Sequence, residues 1–119
     1  MQYHGDLPML NEFRFFGTLT KDAKLSKTTG GTPTLVLMIE VTTEKQVSGK
    51  PVITRSLIPI TVYGTQAIEL SGLKTGSVIG AKGEVQSWYS TKSGKGGFNF
   101  VANRQSGTEG IVVVERISD

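Results

Sequence analysis

Residues 11–19 alternate in character: Phe13 and Phe15 fall on one side, Glu12, Arg14 and Phe16 on the other, and Gly17 follows. This is the pattern of a strand with one buried face, and it places Phe13 and Phe15 in a core. Residues Thr34–Thr43 (TLVLMIEVTT) repeat it more strongly, with Leu35, Leu37, Ile39 and Val41 opposite Val36, Met38, Glu40 and Thr42. In Val52–Tyr63, Ile58, Ile60 and Val62 oppose Arg55, Leu57, Thr61 and Tyr63. Pro59 lacks the N–H that a ladder needs, so it predicts a local interruption or an edge there.

Ser77–Tyr89 reads as a long strand in which Gly80 and Gly83 mark a bend or bulge of the kind that closes small barrels. Phe98–Arg104 and Ile111–Ile117 complete the β-pattern, joined by Gln105–Gly110. Polar, Gly-bearing stretches separate these runs: Lys21–Pro33, a long hairpin loop at Glu44–Pro51, and a tip at Thr91–Gly97. Thr65–Leu70 (TQAIEL) is the one helical segment, with Thr65 placed to cap it and Gly72 to end it. The expectation is an all-β chain of about five long strands, with one short helix between the third and fourth.

Composition narrows the function. The chain has 119 residues, so residues 11–119 are expected to form one domain behind an N-terminal extension of residues 1–10. Fifteen glycines are scattered rather than periodic, which suits turns and bulges and excludes collagen-like or low-complexity chains. Cysteine is absent and His4 is the lone histidine, so no thiol chemistry and no metal or other cofactor is expected. The longest aliphatic run, Leu35–Ile39, is far too short to cross a membrane, and residues 1–10 lack the marks of a signal peptide. A cytoplasmic protein is expected.

Catalytic motifs fail on inspection. Lys50 and Lys95 each follow a glycine but precede Pro51 and Gly96, so neither completes a phosphate-cradling loop. Ser71–Lys74 and Lys74–Gly76 match SxxK and KTG formally, yet they overlap, so they cannot approach each other from separate elements. No enzyme activity is expected.

Charge and aromatics supply the positive signal. The net charge is +3 and the pI about 9.3. No acid occurs from Lys45 through Ile68 or from Gln86 through Thr108. Those windows hold Lys45, Lys50, Arg55, Lys92, Lys95 and Arg104 together with Tyr63, Trp88, Tyr89, Phe98 and Phe100. Cations neutralise phosphates and flat rings stack on unpaired bases of any identity, which favours a single-stranded nucleic acid over a duplex.

Alternation puts Lys82, Gln86 and Trp88 on one strand face. The neighbours Trp88 and Tyr89 must then point oppositely, with Trp88 outward and Tyr89 buried. Tyr63 reads either as a stacking ring or as a structural tyrosine at a strand end, and Phe98 and Phe100 fit core and surface equally. Lys21, Lys24 and Lys27 form a solvated loop that could line the mouth of a groove.

The order of these segments resembles that of the bacterial single-stranded DNA-binding protein family. The resemblance rests on Asn11–Leu19 (NEFRFFGTL), on Thr29-Gly30 before the Leu35–Val41 strand, and on Ile60–Leu70 (ITVYGTQAIEL). It continues through Leu73–Val78 (LKTGSV) and Gly80–Val85, covering roughly residues 11–117. It implies an OB-fold, a five-stranded Greek-key barrel. It also implies binding of single-stranded DNA with little sequence preference, in support of DNA replication, recombination or repair.

Tyr63 stands where the family stacks an aromatic before a glycine. Leu57 stands at a second such position, where stacking is lost or reduced to apolar contact. Arg55, Lys82, Lys92, Lys95 and Arg104 would meet phosphate, while Tyr63 and Trp88, with Phe98 or Phe100, would stack. The resemblance further implies a homodimer or homotetramer, for which the Arg14/Phe16 face is one candidate surface, and a nucleoid-associated location. The smaller relative primosomal replication protein N gives the alternative: an adaptor docking helicase or primase components, with DNA binding secondary. RNA is a further alternative ligand, since OB-folds serve both nucleic acids.

Overall fold

The computed structural model describes residues 10–102 and 110–117. Its strands form where β-branched and aromatic residues alternate with polar ones. They are β1 (Phe13–Leu19), β2 (Leu25–Lys27), β3 (Pro33–Val47), β4 (Lys50–Tyr63), β5 (Val78–Ser90), β6 (Lys95–Ala102) and β7 (Ile111–Glu115). A single helix, α1 (Thr65–Glu69), lies between β4 and β5.

Five strands close a ring in the order β1-β3-β4-β6-β5 and back to β1. All contacts in the ring are antiparallel except β4–β6, a short parallel pairing of Ile60 with Phe100 and Thr61 with Val101. Closure removes the free edges that an open sheet would expose. The two remaining strands lie off the ring: β2 pairs with β3, and β7 pairs with β5 over Val78–Ala81.

The inward rows fill the barrel. Leu35, Leu37 and Ile39 of β3, Ile60 and Val62 of β4, Ile79 and Ala81 of β5, Phe13 and Leu19 of β1 and Ile111 of β7 are all buried. Each such aliphatic side chain contributes about 1.5–3 kcal/mol by leaving water. Ala67 and Leu70 of the helical segment, with Leu73 beyond it, join the same cluster. Gln66, also buried, donates its Nε2–H to the Ile111 carbonyl at 3.4 Å.

Several expectations change in the fold. The segment Glu44–Pro51 is no long loop, because β3 and β4 pair continuously to Val47 and Lys50 across the two-residue turn Ser48-Gly49. Both turn residues have positive φ (51° and 77°), as the tight hairpin turn matching strand twist demands. The Lys21–Pro33 loop contains β2, and the tip Thr91–Gly97 shrinks because β6 begins at Lys95. The helix is capped by Gly64 without a side-chain hydrogen bond, rather than by Thr65, and its C-cap is Leu70 rather than Gly72.

Pro59 interrupts nothing. It faces Met38, whose carbonyl accepts from Thr20 on the β1 side. The Met38/Pro59 pair is therefore of the kind that exchanges no backbone bonds, and the missing N–H points away from β3 to the side where pairing with β6 begins only at Ile60, which is the edge position expected of it.

The two expected barrel glycines act differently from one another. The bulge in β5 falls at Val78/Ile79, and Gly80 sits beneath the exposed Phe16 ring. Gly83 is the corner: β5 pairs with β1 up to Gly83 and with β6 from Gly83 onward. A Cβ on Gly83 would lie 1.8 Å from the Val101 carbonyl oxygen, so only glycine lets the strands pass this closely.

Candidate nucleic-acid interface

Beyond the Ile60/Phe100 and Thr61/Val101 pairs, nothing joins β4 to β6, and two hairpin arms leave the barrel. One is the far part of β3–β4, tipped by Ser48-Gly49; the other is the far part of β5–β6, tipped by residues 91–94. Because β4 and β6 run parallel, both tips point from the same end of the barrel. Most side chains on the arms are exposed, since among the described residues no second layer covers either face.

Strand parity sorts the arm residues. The outer faces continue the barrel's outside and the inner faces continue its lining. On the outer face of β4 lie Arg55, Leu57 and Tyr63, with Tyr63 opposite Thr34 and 46% exposed. On the outer face of the other arm lie Gln86, Trp88, Lys95 and Asn99, with Trp88 paired to Gly97 and 47% exposed. Gly97 leaves room for the indole, whose Nε1 would stand 3.1 Å from any Cβ placed there. Lys92 lies at the tip. Trp88 and Tyr63 thus occupy one outer surface, offset by six residues or about 20 Å along the strands.

The inner faces differ from expectation. Tyr89 does not trade burial with Trp88, because no layer of described residues covers either side of this arm, and it is 69% exposed. Phe98 shares its face, opposite Ser87, and is 68% exposed. Phe100, one step inward on that face, meets the core instead. Its ring lies 5.6 Å from Phe13 and 5.8 Å from Phe15, edge-on to both, so most of its surface is committed to packing.

The cations are not gathered in one groove. Lys82 pairs with Arg14 across β1–β5, about 20 Å along β5 from Trp88, and lines a pocket with Phe16, Gly80, Gly110 and Val112. Arg55 stands 3.9 Å from Glu40 across the β3–β4 ladder. Such an exposed pair is worth little, so the guanidinium is easily drawn away. Among the described residues Lys45, Lys50, Lys82, Lys92 and Lys95 enter no ion pair. Arg104 lies outside the described residues.

Glu40, Glu44 and Glu84 all lie on the outer faces. Alternation already turns Glu40 outward and puts Glu84 on the face of Lys82 and Gln86, but sequence reasoning missed Glu44, because it ended the strand before that residue whereas β3 runs on to Val47. One carboxylate is held elsewhere: Asp22 accepts from the Thr75 N–H (2.8 Å) and hydroxyl (2.9 Å), with the Lys74 ammonium nearby. These contacts, the backbone bond first, hold its carboxyl below the usual carboxylate range. This clip ties the β1–β2 connection to the approach of β5. No group of three or more potential metal ligands occurs among the described residues, and no helix there is long and apolar enough to cross a membrane.

A five-stranded ring closed by one parallel contact, with a single helix inserted before β5, defines the OB-fold class. Solved structures of single-stranded DNA-binding proteins share it. A deletion mutant of the protein from Thermus aquaticus superposes with a TM-score of 0.78 at 24% identity, over 89% of this chain and 51% of that one. The wild-type Thermus aquaticus protein gives 0.67 at 21%, over 89% and 50%. The Plasmodium falciparum protein, solved in complex with single-stranded DNA, gives 0.74 at 12%, over 92% of this chain and 99% of that one. The chain thus spans about half the length of the Thermus proteins. No family model and no curated protein matches it in sequence.

Proposed function

We propose that this chain binds single-stranded DNA without catalysis and with little base preference, in support of replication, recombination or repair. One observation carries the reading: an OB-fold barrel with Tyr63 half-exposed on its outer wall extends two unpacked arms, one of which holds Trp88, Tyr89 and Phe98 in the open, with lysines on both arms that enter no ion pair among the described residues. Exposed rings of this size are costly in water and suit a ligand with π-faces, while the lysines suit its phosphates. On the outer surface stacking falls to Trp88 and Tyr63, while Phe98 lies on the opposite face of the arm, outside that path, and Phe100 is reduced to a rim contact. Phosphate falls to Arg55, Lys92 and Lys95, while Lys82 would serve a more distant part of the strand, and Arg104 stays a candidate from the sequence alone. A fold shared with proteins named for single-stranded DNA supports the same reading.

Self-association would use the Arg14/Phe16 face, where Phe16 is 72% exposed beside Val112. A bacterial host would place the protein in the nucleoid, next to helicase or primase components.

The test is a fluorescence titration of Trp88, the lone tryptophan, with a thymidine homopolymer at several salt concentrations. Quenching is expected, with an affinity that falls as a power of salt. Three phosphate contacts would give a log–log slope of about −2, at about 0.7 per contact. Replacing Trp88 by Ala should cost about 1–3 kcal/mol. Absence of binding at low salt would refute DNA binding and promote the protein-docking adaptor, and tighter binding of matched ribo-oligomers would reassign the ligand to RNA.

A further inference from the structure

We infer that the arms offer the strand a second path on their inner faces, so that a long single strand passes over both sides of the β5–β6 arm. This deepens the proposed DNA binding and rests on it. The argument begins from parity. Counting outward from buried Ile79 and Ala81 puts Gly83, Val85, Ser87 and Tyr89 on the inner face of β5, and counting from Ala102 puts Phe98 on that of β6. Tyr89 pairs with Gly96 and Ser87 with Phe98, so Tyr89 and Phe98 are diagonal neighbours within reach of one another. They form a two-ring platform on the side of the arm away from Trp88. A single groove on the outer surface would leave that platform in water.

Charge points the same way. Counting from Ile39 and Ile60 places Val41, Thr43, Lys45 and Val47 of β3, and Lys50, Val52, Thr54 and Ser56 of β4, on the inner face of the other arm. No acid lies on either inner face, whereas Glu40, Glu44 and Glu84 all lie on the outer ones. Lys45 and Lys50 enter no ion pair among the described residues. Both inner faces continue the barrel lining at the same mouth, which sets an aromatic wall and a basic, hydroxyl-rich wall around one opening. A polyanion with stackable bases fits that opening better than it fits the mixed-charge outside. The Gly96 and Gly97 pair keeps the arm thin, since a Cβ at either would press on Tyr89 or on Trp88.

The experiment compares thymidine oligomers of about 8 and about 30 nucleotides, the shorter one within the site size of one OB surface. It uses wild type, Trp88→Ala, and the double variant Tyr89→Ala/Phe98→Ala, with circular dichroism and Tm confirming the fold of each. Both inner rings are exposed, so their loss should leave Tm nearly unchanged. The double variant should bind the long oligomer at least about tenfold more weakly and the short one nearly as wild type. Trp88→Ala should weaken both. The conservative pair Tyr89→Phe/Phe98→Tyr, which keeps the rings, should restore long-oligomer binding.

Unchanged long-oligomer affinity in the double variant overturns the inference while wild-type Trp88 quenching leaves the proposed function standing. Equal weakening at both lengths also overturns it, because it would put all the rings on one path. Loss of self-association with DNA affinity intact would assign the inner face to a second copy of the chain instead. A wild type that binds neither oligomer fails the proposed function itself.

Discussion

Replacing Gly83 by Ala tests whether the barrel turns its corner where the registers place it. A methyl group there would stand 1.8 Å from the Val101 carbonyl oxygen and 2.9 Å from the Ala102 Cα, both backbone atoms of the neighbouring strand. It is roughly 1 Å or more too close to that oxygen, and no side-chain rotation can relieve it. Overpacking of this kind costs about 1–3 kcal/mol or somewhat more. The stiffer unfolded chain returns about 0.4–1 kcal/mol. A net loss of about 2 kcal/mol is expected, or a fall in Tm of about 6–10 °C for a domain of this size.

Gly80→Ala is the matched control three residues earlier. Its Cβ meets only the Phe16 ring, at 2.9 Å, and that exposed ring can swing aside. A Tm within about 2 °C of wild type is expected there. Calorimetry or thermal circular dichroism on the three proteins decides the matter. Equal Tm values for Gly83→Ala and wild type, or equal losses at both positions, would refute the reasoning.

Two further substitutions probe the local structure. Gly64 has φ 77° and ψ −146° with nothing within 4 Å of a would-be Cβ, so Gly64→Ala should cost about 1–3 kcal/mol through backbone strain alone. A shifted urea midpoint at unchanged m-value would show it, and an unchanged midpoint would contradict it. Asp22→Ala should lower Tm at neutral pH by removing the clip on Thr75. Because the folded carboxyl titrates below its ordinary 3.8, its contribution is fully present above that value and fades as pH falls through the lower folded pKa. The Tm gap between wild type and variant should therefore close on acidification, and a gap that stays constant from neutrality to pH of about 2 would exclude the carboxylate as its source.

Much of the barrel was legible because burial on one side imposes a period of two. The inward rows Leu35/Leu37/Ile39 and Ile58/Ile60/Val62 were read correctly from alternation, as were Phe13 and Phe15. The arms were harder. Where both faces meet water, polar and apolar residues carry no periodic message, so Glu44–Pro51 looked like a loop although it continues two paired strands. The same loss of signal hid Tyr89, whose alternation with Trp88 was sound but whose burial presumed a covering layer that the described residues do not supply.

The candidate site divides along that line. Residue types, the acid-poor windows and the opposed directions of Trp88 and Tyr89 follow from the chain alone, because they depend only on composition and on a fixed local geometry. Which side chains share a surface depends on register and closure, and those are set by contacts far apart in sequence. Only the β3–β4 ladder puts Glu40 beside Arg55, and only the β1–β5 ladder carries Lys82 to Arg14, away from the arms. Only the Gly83 corner and the short parallel contact at Ile60/Phe100 make two arms diverge from one mouth. Local physics wrote the strands and their faces; the long-range pairing that seals the barrel decided where those faces meet.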